Sequence, residues 1–163
     1  MKTMKAGMII LGIMALLQAL ASGQGFPLEP TAVLQGHGDW VNSVALSPDG
    51  EMLASGSHDS EVRLWDVAGQ EQVVLLEAST RVNSIAFNPD GRFLALGGLD
   101  SVIRLWDVGK QEQTGLLKGH EESVYSVAIS KDGKWLASGS KDFNVLLWEM
   151  NFAGQSVEPM QSS

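Results

Sequence analysis

The chain has 163 residues, of which 44% are hydrophobic and 18% charged, values typical of one globular domain. Its formal net charge of -8 argues against nucleic acid as a partner, because phosphate backbones are bound by clustered Lys and Arg side chains. The absence of cysteine excludes disulfides, thiolate metal sites and cysteine nucleophiles.

The first residues have the pattern of an export signal. Lys2 and Lys5 give a positive start, residues 8–20 are apolar apart from one glutamine, and Ala19-Leu20-Ala21 offers a small-x-small cleavage site. The apolar run is shorter than the ~20 residues that span a bilayer. We therefore predict a signal peptide over residues 1–21 and a secreted or periplasmic protein. The alternatives are an uncleaved signal that anchors the chain in a membrane, and a wrongly assigned start codon.

Residues 22–30 contain Gly and Pro without a hydrophobic period, so we predict a linker there. The folded part is expected over residues 31–150, and residues 151–163 form a polar C-terminal tail. The regularity that indicates the fold lies inside this predicted folded part.

A motif of Leu, Trp and an acidic residue occurs three times. Leu64-Trp65-Asp66 returns as Leu105-Trp106-Asp107 and as Leu147-Trp148-Glu149, at steps of 41 and 42 residues. Asp-Gly pairs at 49–50, 90–91 and 132–133 keep the same step. Such a period indicates a repeat architecture. We predict three tandem copies, with cores at 33–66, 74–107 and 116–149.

Each copy contains the signals of four short strands. In the first copy these are residues 41–46, 52–56, 62–65 and 72–76, which are rich in apolar and β-favouring side chains. Pro48-Asp49-Gly50 predicts a hairpin turn, since Pro presets φ and Gly accepts the left-handed position. Four antiparallel strands about every 40 residues are the sequence form of one propeller blade.

The chain resembles WD-repeat β-propellers over residues 33–149. The resemblance implies an all-β fold of three four-stranded antiparallel blades, in which a His, a Ser, an Asp and a Trp are joined by hydrogen bonds. The implied members are His37, Ser55, Asp59 and Trp65 in the first copy, Asp100 and Trp106 in the second, and His120, Ser138, Asp142 and Trp148 in the third. The second copy has Ala78 and Leu96 instead of His and Ser. We expect that blade to depend more on apolar packing, with Asp100 bonded to backbone amides or solvent.

Three blades do not account for a closed ring, which needs about four to eight. The strand-like Ala32-Val33-Leu34 is expected to complete the third blade, within the chain or across a dimer. Two explanations remain open. The chain is a fragment of a longer propeller, or two copies assemble as a homo-oligomer that completes the ring.

No residue pattern indicates catalysis, a metal or a cofactor. His37 and His120 occupy repeated positions and are expected to be structural, while His58 is expected in an exposed turn. The Asp-Gly pairs lack the dense carboxylates of a calcium loop. Gly97-Gly98 falls inside a predicted strand, where it indicates close packing.

Positions that differ between the copies are the candidates for a partner-binding rim. They are Trp40, Asn42, His58, Arg81, Asn83, Leu99, Ser123, Tyr125 and Lys141. Trp, Tyr and Arg are enriched in binding hot spots. The alternatives are ordinary surface variation and, for Trp40, partial burial against the adjacent blade.

The sequence predicts a non-enzymatic scaffold of the WD-repeat type that is exported and binds a protein or peptide. This rests on the resemblance and on the lack of a catalytic pattern, because a fold does not determine function. The alternative is a fragment of a larger multi-domain propeller protein, a sensor or an enzyme, whose effector part is missing. A remnant without function is the third hypothesis.

Overall fold

The computed structural model describes residues 29–150, and within that part it has eleven β-strands and no helix. All strand pairs are antiparallel and form three sheets, so the predicted all-β class is confirmed. The contacts divide the chain into residues 1–34 and 35–163, and the three sheets belong to the second unit. The predicted signal peptide, most of the predicted linker and the C-terminal tail lie outside the described residues. Between residues 29 and 150 there is no helical segment with the length and apolarity that a membrane crossing needs.

The first sheet has four strands paired in chain order. They are β1 (Val41–Leu46), β2 (Met52–Ser57), β3 (Glu61–Asp66) and β4 (Glu71–Glu77). Gly50 in the turn after β1 has φ of 73°, which glycine adopts without steric cost. The hydroxyl of Ser47 donates to Asp49 at 2.5 Å and holds the turn closed. The predicted hairpin turn is therefore confirmed, and Gly91 and Gly133 repeat it with φ of 76° and 72°.

The second sheet also has four strands in chain order. They are β5 (Val82–Phe87), β6 (Phe93–Gly98), β7 (Val102–Asp107) and β8 (Glu112–Lys118). All six residues of β6 are buried, because this sheet lies between the other two and both of its faces are covered. A strand covered on both faces loses the polar alternation of a half-exposed strand, which explains the uninterrupted Phe-Leu-Ala-Leu-Gly-Gly sequence.

The third sheet contains three described strands instead of the four that were predicted. They are β9 (Val124–Ile129), β10 (Trp135–Ser140) and β11 (Val145–Glu149). Within the single chain, residues 32–34 carry no strand and Val33 is 73% exposed, so completion of the third blade by Ala32-Val33-Leu34 in the same chain is wrong, while completion across a dimer stays a prediction. A three-residue segment forms a strand only where a ladder of hydrogen bonds and a packed face support it. Residues 32–34 have no such ladder among the described residues.

The sheets stack in chain order through small residues on their second strands. A Cβ atom built on Gly56 of β2 would lie 2.5 Å from Cγ1 of Val82, and one on Gly97 of β6 would lie 2.7 Å from Cγ1 of Val124. The close packing predicted for Gly97-Gly98 is confirmed. Each contact is filled by an apolar core, with Val62, Leu64, Val82 and Ile85 in the first and Ile103, Leu117, Val124 and Val127 in the second.

Polar side chains of the first strands add hydrogen bonds between the sheets. The Asn42 amide donates to the Val82 carbonyl at 2.8 Å, and one step later the Asn83 amide donates to the Val124 carbonyl at 3.0 Å. The serine that follows each asparagine also bonds to the next sheet. The Ser43 hydroxyl accepts the N–H of Ile85, and the Ser84 hydroxyl accepts the N–H of Val127, both at 3.1 Å. Each sheet thus binds the following one through an Asn and a Ser.

Candidate functional site

Four side chains of the first sheet form a continuous chain of hydrogen bonds. Trp65 Nε1 donates to Ser55 Oγ at 2.8 Å, and the same oxygen lies 2.7 Å from His37 Nε2. The other ring nitrogen of His37 lies 2.8 Å from Asp59 Oδ2. Strands β2 and β3 place Ser55 and Trp65, while the β2–β3 turn and the segment before β1 bring Asp59 and His37 to them. The network therefore ties one turn and one loop to the middle of the sheet.

The third sheet repeats this network with nearly the same distances. Trp148 Nε1 donates to Ser138 Oγ at 2.9 Å, and His120 Nε2 lies 2.8 Å from that oxygen. His120 Nδ1 lies 2.7 Å from Asp142 Oδ2. The His120 side chain is fully buried, and that of Asp142 is 7% exposed. The equivalent geometry in two sheets indicates a structural element of the repeat.

The Ser-His-Asp part of each network has the connectivity of a hydrolase triad, but the serine is not free to attack a substrate. An indole N–H can only donate, so the serine oxygen accepts the hydrogen bond from Trp and donates its own proton to the His ring. Ser55 is 4% exposed and Ser138 is 1% exposed. A nucleophile needs an accessible oxygen beside a site for the reacting carbonyl. Burial and the bond to Trp deny both serines that access.

The candidate rim residues form pairs at equivalent positions of the three sheets. The N–H of His58 donates to the Trp40 carbonyl, that of Leu99 to the Arg81 carbonyl, and that of Lys141 to the Ser123 carbonyl, at 2.9, 3.0 and 2.9 Å. Trp40 is 74% exposed and its ring stacks on His58, with 5.6 Å between the ring centroids. The alternative of a Trp40 buried against the adjacent blade is wrong. We name the exposed or half-exposed members of these pairs the variable rim: Trp40, His58, Arg81, Leu99 and Lys141.

The other rim candidates are Asn42, Asn83, Ser123 and Tyr125, and the side chains of the first three form contacts between sheets. Asn42 and Asn83 join neighbouring sheets, and Ser123 is buried, with its hydroxyl donating to the Leu99 carbonyl at 2.6 Å. Tyr125 occupies the position of these asparagines in the third sheet and is 55% exposed. Three residues that the sequence placed on the binding rim therefore form hydrogen bonds between neighbouring sheets. Side chains that cross between sheets carry no local sequence signal.

A model of known repeats, described as WD domain, G-beta repeat, matches residues 28–66, 70–107 and 109–149. These three segments cover more than half of the chain. The chain belongs to the WD-repeat family. The first two sheets are four-stranded WD-repeat blades, the third is an incomplete blade with three described strands, and the family expected from the sequence is confirmed.

Individual relatives match over about one repeat. The small ribosomal subunit protein RACK1z of Oryza sativa subsp. japonica is 47% identical over 47 residues, which are 29% of this chain and 14% of that protein. The ribosome biogenesis protein BOP1 homolog of Drosophila virilis is 47% identical over 45 residues, 28% of this chain and 6% of that protein. The ribosome biogenesis protein BOP1 of Rattus norvegicus is 49% identical over 45 residues, with the same two shares. The chain thus spans a small fraction of these relatives.

The middle WD repeat replaces the polar network by apolar packing and ion pairs. Ala78 and Leu96 are buried at the positions of His and Ser, as expected. Asp100 accepts the N–H of Val102 at a long 3.4 Å, so the expected backbone bond is present but weak. Its main partner is Arg104, whose Nη2 lies 2.6 Å from Oδ2. This pair was not predicted from the sequence, although an arginine also occurs at the equivalent Arg63, where it binds Glu61.

Trp106 is the member of the middle repeat that loses its partner. Its buried Nε1 has no acceptor among the described residues. We expect Trp106→Phe to change the free energy of unfolding by less than about 1 kcal/mol, because the removed N–H was unsatisfied at a cost of about 1–3 kcal/mol. Trp148→Phe removes the donor to the buried Ser138 and is expected to lower the free energy of unfolding by about 2 kcal/mol. Urea unfolding of both variants measures the difference. Equal losses would contradict the expected asymmetry.

The two network aspartates remain ionised well into the acidic range. Burial by itself raises the pKa of the Asp142 carboxyl, but the N–H groups of Asn144 and Glu121 and the bond from His120 outweigh it and hold this pKa at about 2. Burial acts on Asp59 in the same direction and is again outweighed by N–H donors and by His37, so its pKa is also lowered. Both carboxylates are therefore acceptors that organise their turn over the whole neutral range.

One group of residues has the composition of a metal site. Ligand atoms of His37, Asp59 and Glu61 lie within 4.8 Å of one another. Both ring nitrogens of His37 already bind Ser55 and Asp59, however, and Glu61 holds Arg63 at 2.6 Å. A metal would need these groups free and deprotonated. Their contacts are those of the blade network.

Proposed function

We propose that the chain is a non-enzymatic binding module for a protein or peptide, and that the variable rim is its binding surface. The exposed Trp40, stacked on His58, is the observation that supports this most directly. An indole exposed to water costs hydrophobic free energy that a ligand would recover by covering it. No network bond or apolar core of the described chain uses this ring, unlike those of Trp65 and Trp148.

The chemistry of the rim favours a peptide with an acidic and an apolar group. Arg81 and Lys141 are exposed and belong to the equivalent backbone pairs of the second and third sheets, and Leu99, which pairs with Arg81, is 44% exposed. Arg binds carboxylates with two parallel hydrogen bonds, and Trp and Leu supply apolar area. These residues directly flank strands and are joined in pairs by backbone hydrogen bonds, which restricts them before a ligand binds and reduces the entropic cost of binding.

A non-enzymatic role is supported by the state of the polar side chains. The histidines His37 and His120 are both bonded to a serine and an aspartate, and both serines are buried. The relatives named above are described as ribosomal and ribosome biogenesis proteins, but each of them matches this chain over only 45 to 47 residues, about one repeat. That similarity supports the blade and gives no reason to assign a ribosomal role to this chain.

Selection of a displayed random peptide library on the full chain tests the proposal. We expect peptides to be enriched, and Trp40→Ala to weaken the binding of a synthetic copy by about 30-fold, the effect of losing a hot-spot side chain. Arg81→Ala should weaken it by a smaller factor. Val73→Ala is the matched control, because Val73 is 47% exposed on β4 and outside the rim. Binding that survives both rim substitutions, or a library without enrichment, would contradict the proposal.

We further propose that the chain is exported, on the basis of its N-terminal pattern. Lys2, Lys5 and the apolar residues 8–20 supply the targeting features, and Ala21 ends the proposed cleavage site. Mass spectrometry of the chain purified from its producing cells is expected to show a mature protein that begins at Ser22. A chain that begins at Met1 would overturn the proposal of a cleaved signal.

A further inference from the structure

Two apolar sheet faces remain uncovered in the described part of the chain. The first sheet exposes Val41 by 50% and Val44 by 62% on the side away from the second sheet. The third sheet exposes Val145 by 77% and Leu147 by 43% on its opposite side. We name the first the leading face and the second the trailing face. Their equivalents inside the stack, such as Val82 and Leu64, are 1% and 0% exposed.

The trailing face carries the acceptor half of a contact that the chain already makes twice. Gly139 occupies the position of Gly56 and Gly97, whose missing Cβ atoms leave room for Val82 and Val124. A Cβ built on Gly139 meets no described atom within 4 Å. Ser126 occupies the position of Ser43 and Ser84, whose hydroxyls accept an N–H from the next sheet, and it is exposed.

The leading face carries the donor half of the same contact. Val41 stands where Val82 and Val124 stand in the later repeats, and Val44 stands where Ile85 and Val127 stand. Ile85 and Val127 are the residues whose N–H groups reach the serine of the preceding sheet. The chain therefore presents at its two ends the complementary parts of one repeated sheet contact.

We infer that the trailing face binds the leading face of a second copy of this chain. Val41 of one copy packs in the space over Gly139 of the other, and the N–H of Val44 donates to the hydroxyl of Ser126. Val145 and Leu147 cover the same strand, as Val62 and Leu64 do within the chain. One internal bond is not reproduced, because Tyr125 replaces the bridging asparagine and contributes aromatic area instead.

A contact between two different faces leaves one leading and one trailing face free, and in the inferred assembly these two faces also bind each other, which closes a ring of two copies. The pair then contains six sheets, which is within the range of about four to eight blades that close a propeller. A second copy is favoured over an unrelated partner because it supplies the valine spacing and the N–H donor in the register that the internal contacts use. This inference does not depend on the variable rim.

Sedimentation velocity of the full chain tests the inference. We expect a species of twice the 17.5 kDa chain mass. Gly139→Leu fills the space reserved for Val41 and is expected to raise the dissociation constant at least about tenfold. Val145→Asp should act in the same direction. Val73→Asp is its control, since Val73 is an exposed strand valine outside both faces. Circular dichroism verifies that each variant keeps its strands.

Mixing two variants distinguishes this arrangement from other modes of association. Val44→Asp damages the leading face alone, and Val145→Asp damages the trailing face alone. We expect each variant to be monomeric and their equimolar mixture to regain a two-chain species, because one intact contact remains between them. A monomeric parent chain, association that is insensitive to Gly139→Leu, or a mixture that stays monomeric would each overturn the inference.

Discussion

His120→Ala is expected to lower the free energy of unfolding by about 3 kcal/mol. The substitution removes the group that joins Ser138 to Asp142, with distances of 2.8 and 2.7 Å, in a part of the third blade where the imidazole is fully buried. Ser138 then loses the acceptor for its proton, and Asp142 loses its side-chain partner. The backbone donors of Asp142 remain, so the cost stays at the lower end of the range for a broken buried pair.

Urea unfolding measures this loss, and two comparisons identify its origin. His58→Ala is the control, because His58 bonds through its backbone and stacks on the surface, and it should change the stability by less than about 0.5 kcal/mol. The double variant with His120→Ala and Asp142→Asn should lose less stability than the sum of the losses measured for the two single variants, because both side chains act in one network. Additive losses would show that the network does not couple them.

The sequence predicted those parts of the fold whose chemistry is local. The turns at Gly50, Gly91 and Gly133 need a residue with positive φ beside a proline or an aspartate, and that requirement is visible in the sequence. The network members follow the repeat period, so their positions could be inferred from the resemblance. In the first and third blades these side chains lie at hydrogen-bonding distance. Local geometry repeats when local sequence repeats, and this makes the blade predictable.

Contacts between blades were not predicted, because they depend on how two sheets are placed. Asn42 and Asn83 occupy one repeated position, which is Tyr125 in the third copy, and each donates to a carbonyl 40 or 41 residues further along the chain. The Asp100–Arg104 pair could not be read from the repeat, because the repeated spacing indicates the His and Ser positions of the network and no substitute partner for Asp100. The strand predicted at residues 32–34 is absent from the single chain for a related reason, since a strand needs a neighbour that the local sequence does not specify.

Gly97→Val is expected to lower the free energy of unfolding by about 3 kcal/mol, the upper part of the range for an overpacked core. A Cβ at this position would lie 2.7 Å from Cγ1 of Val124 and 3.2 Å from Cγ1 of Val127. Both neighbours are β-branched, so rotation at χ1 cannot move them away at low cost. The second and third sheets must separate to admit the new side chain, and the hydrogen bond from Asn83 to the Val124 carbonyl lengthens with them.

The same substitution at Gly139 should have the opposite sign in the isolated chain. Gly139 lies at the equivalent position of β10, where an added Cβ meets no described atom within 4 Å and no positive φ opposes a side chain. Gly139→Val is therefore expected to raise the stability by up to about 1 kcal/mol, because valine favours strands and glycine loses more backbone entropy on folding. Urea unfolding of both variants, at concentrations too low for two chains to associate, measures the contrast. Equal losses at the two positions would mean that strand glycines are needed for the backbone itself, and the assignment of Gly97 to sheet stacking would be wrong.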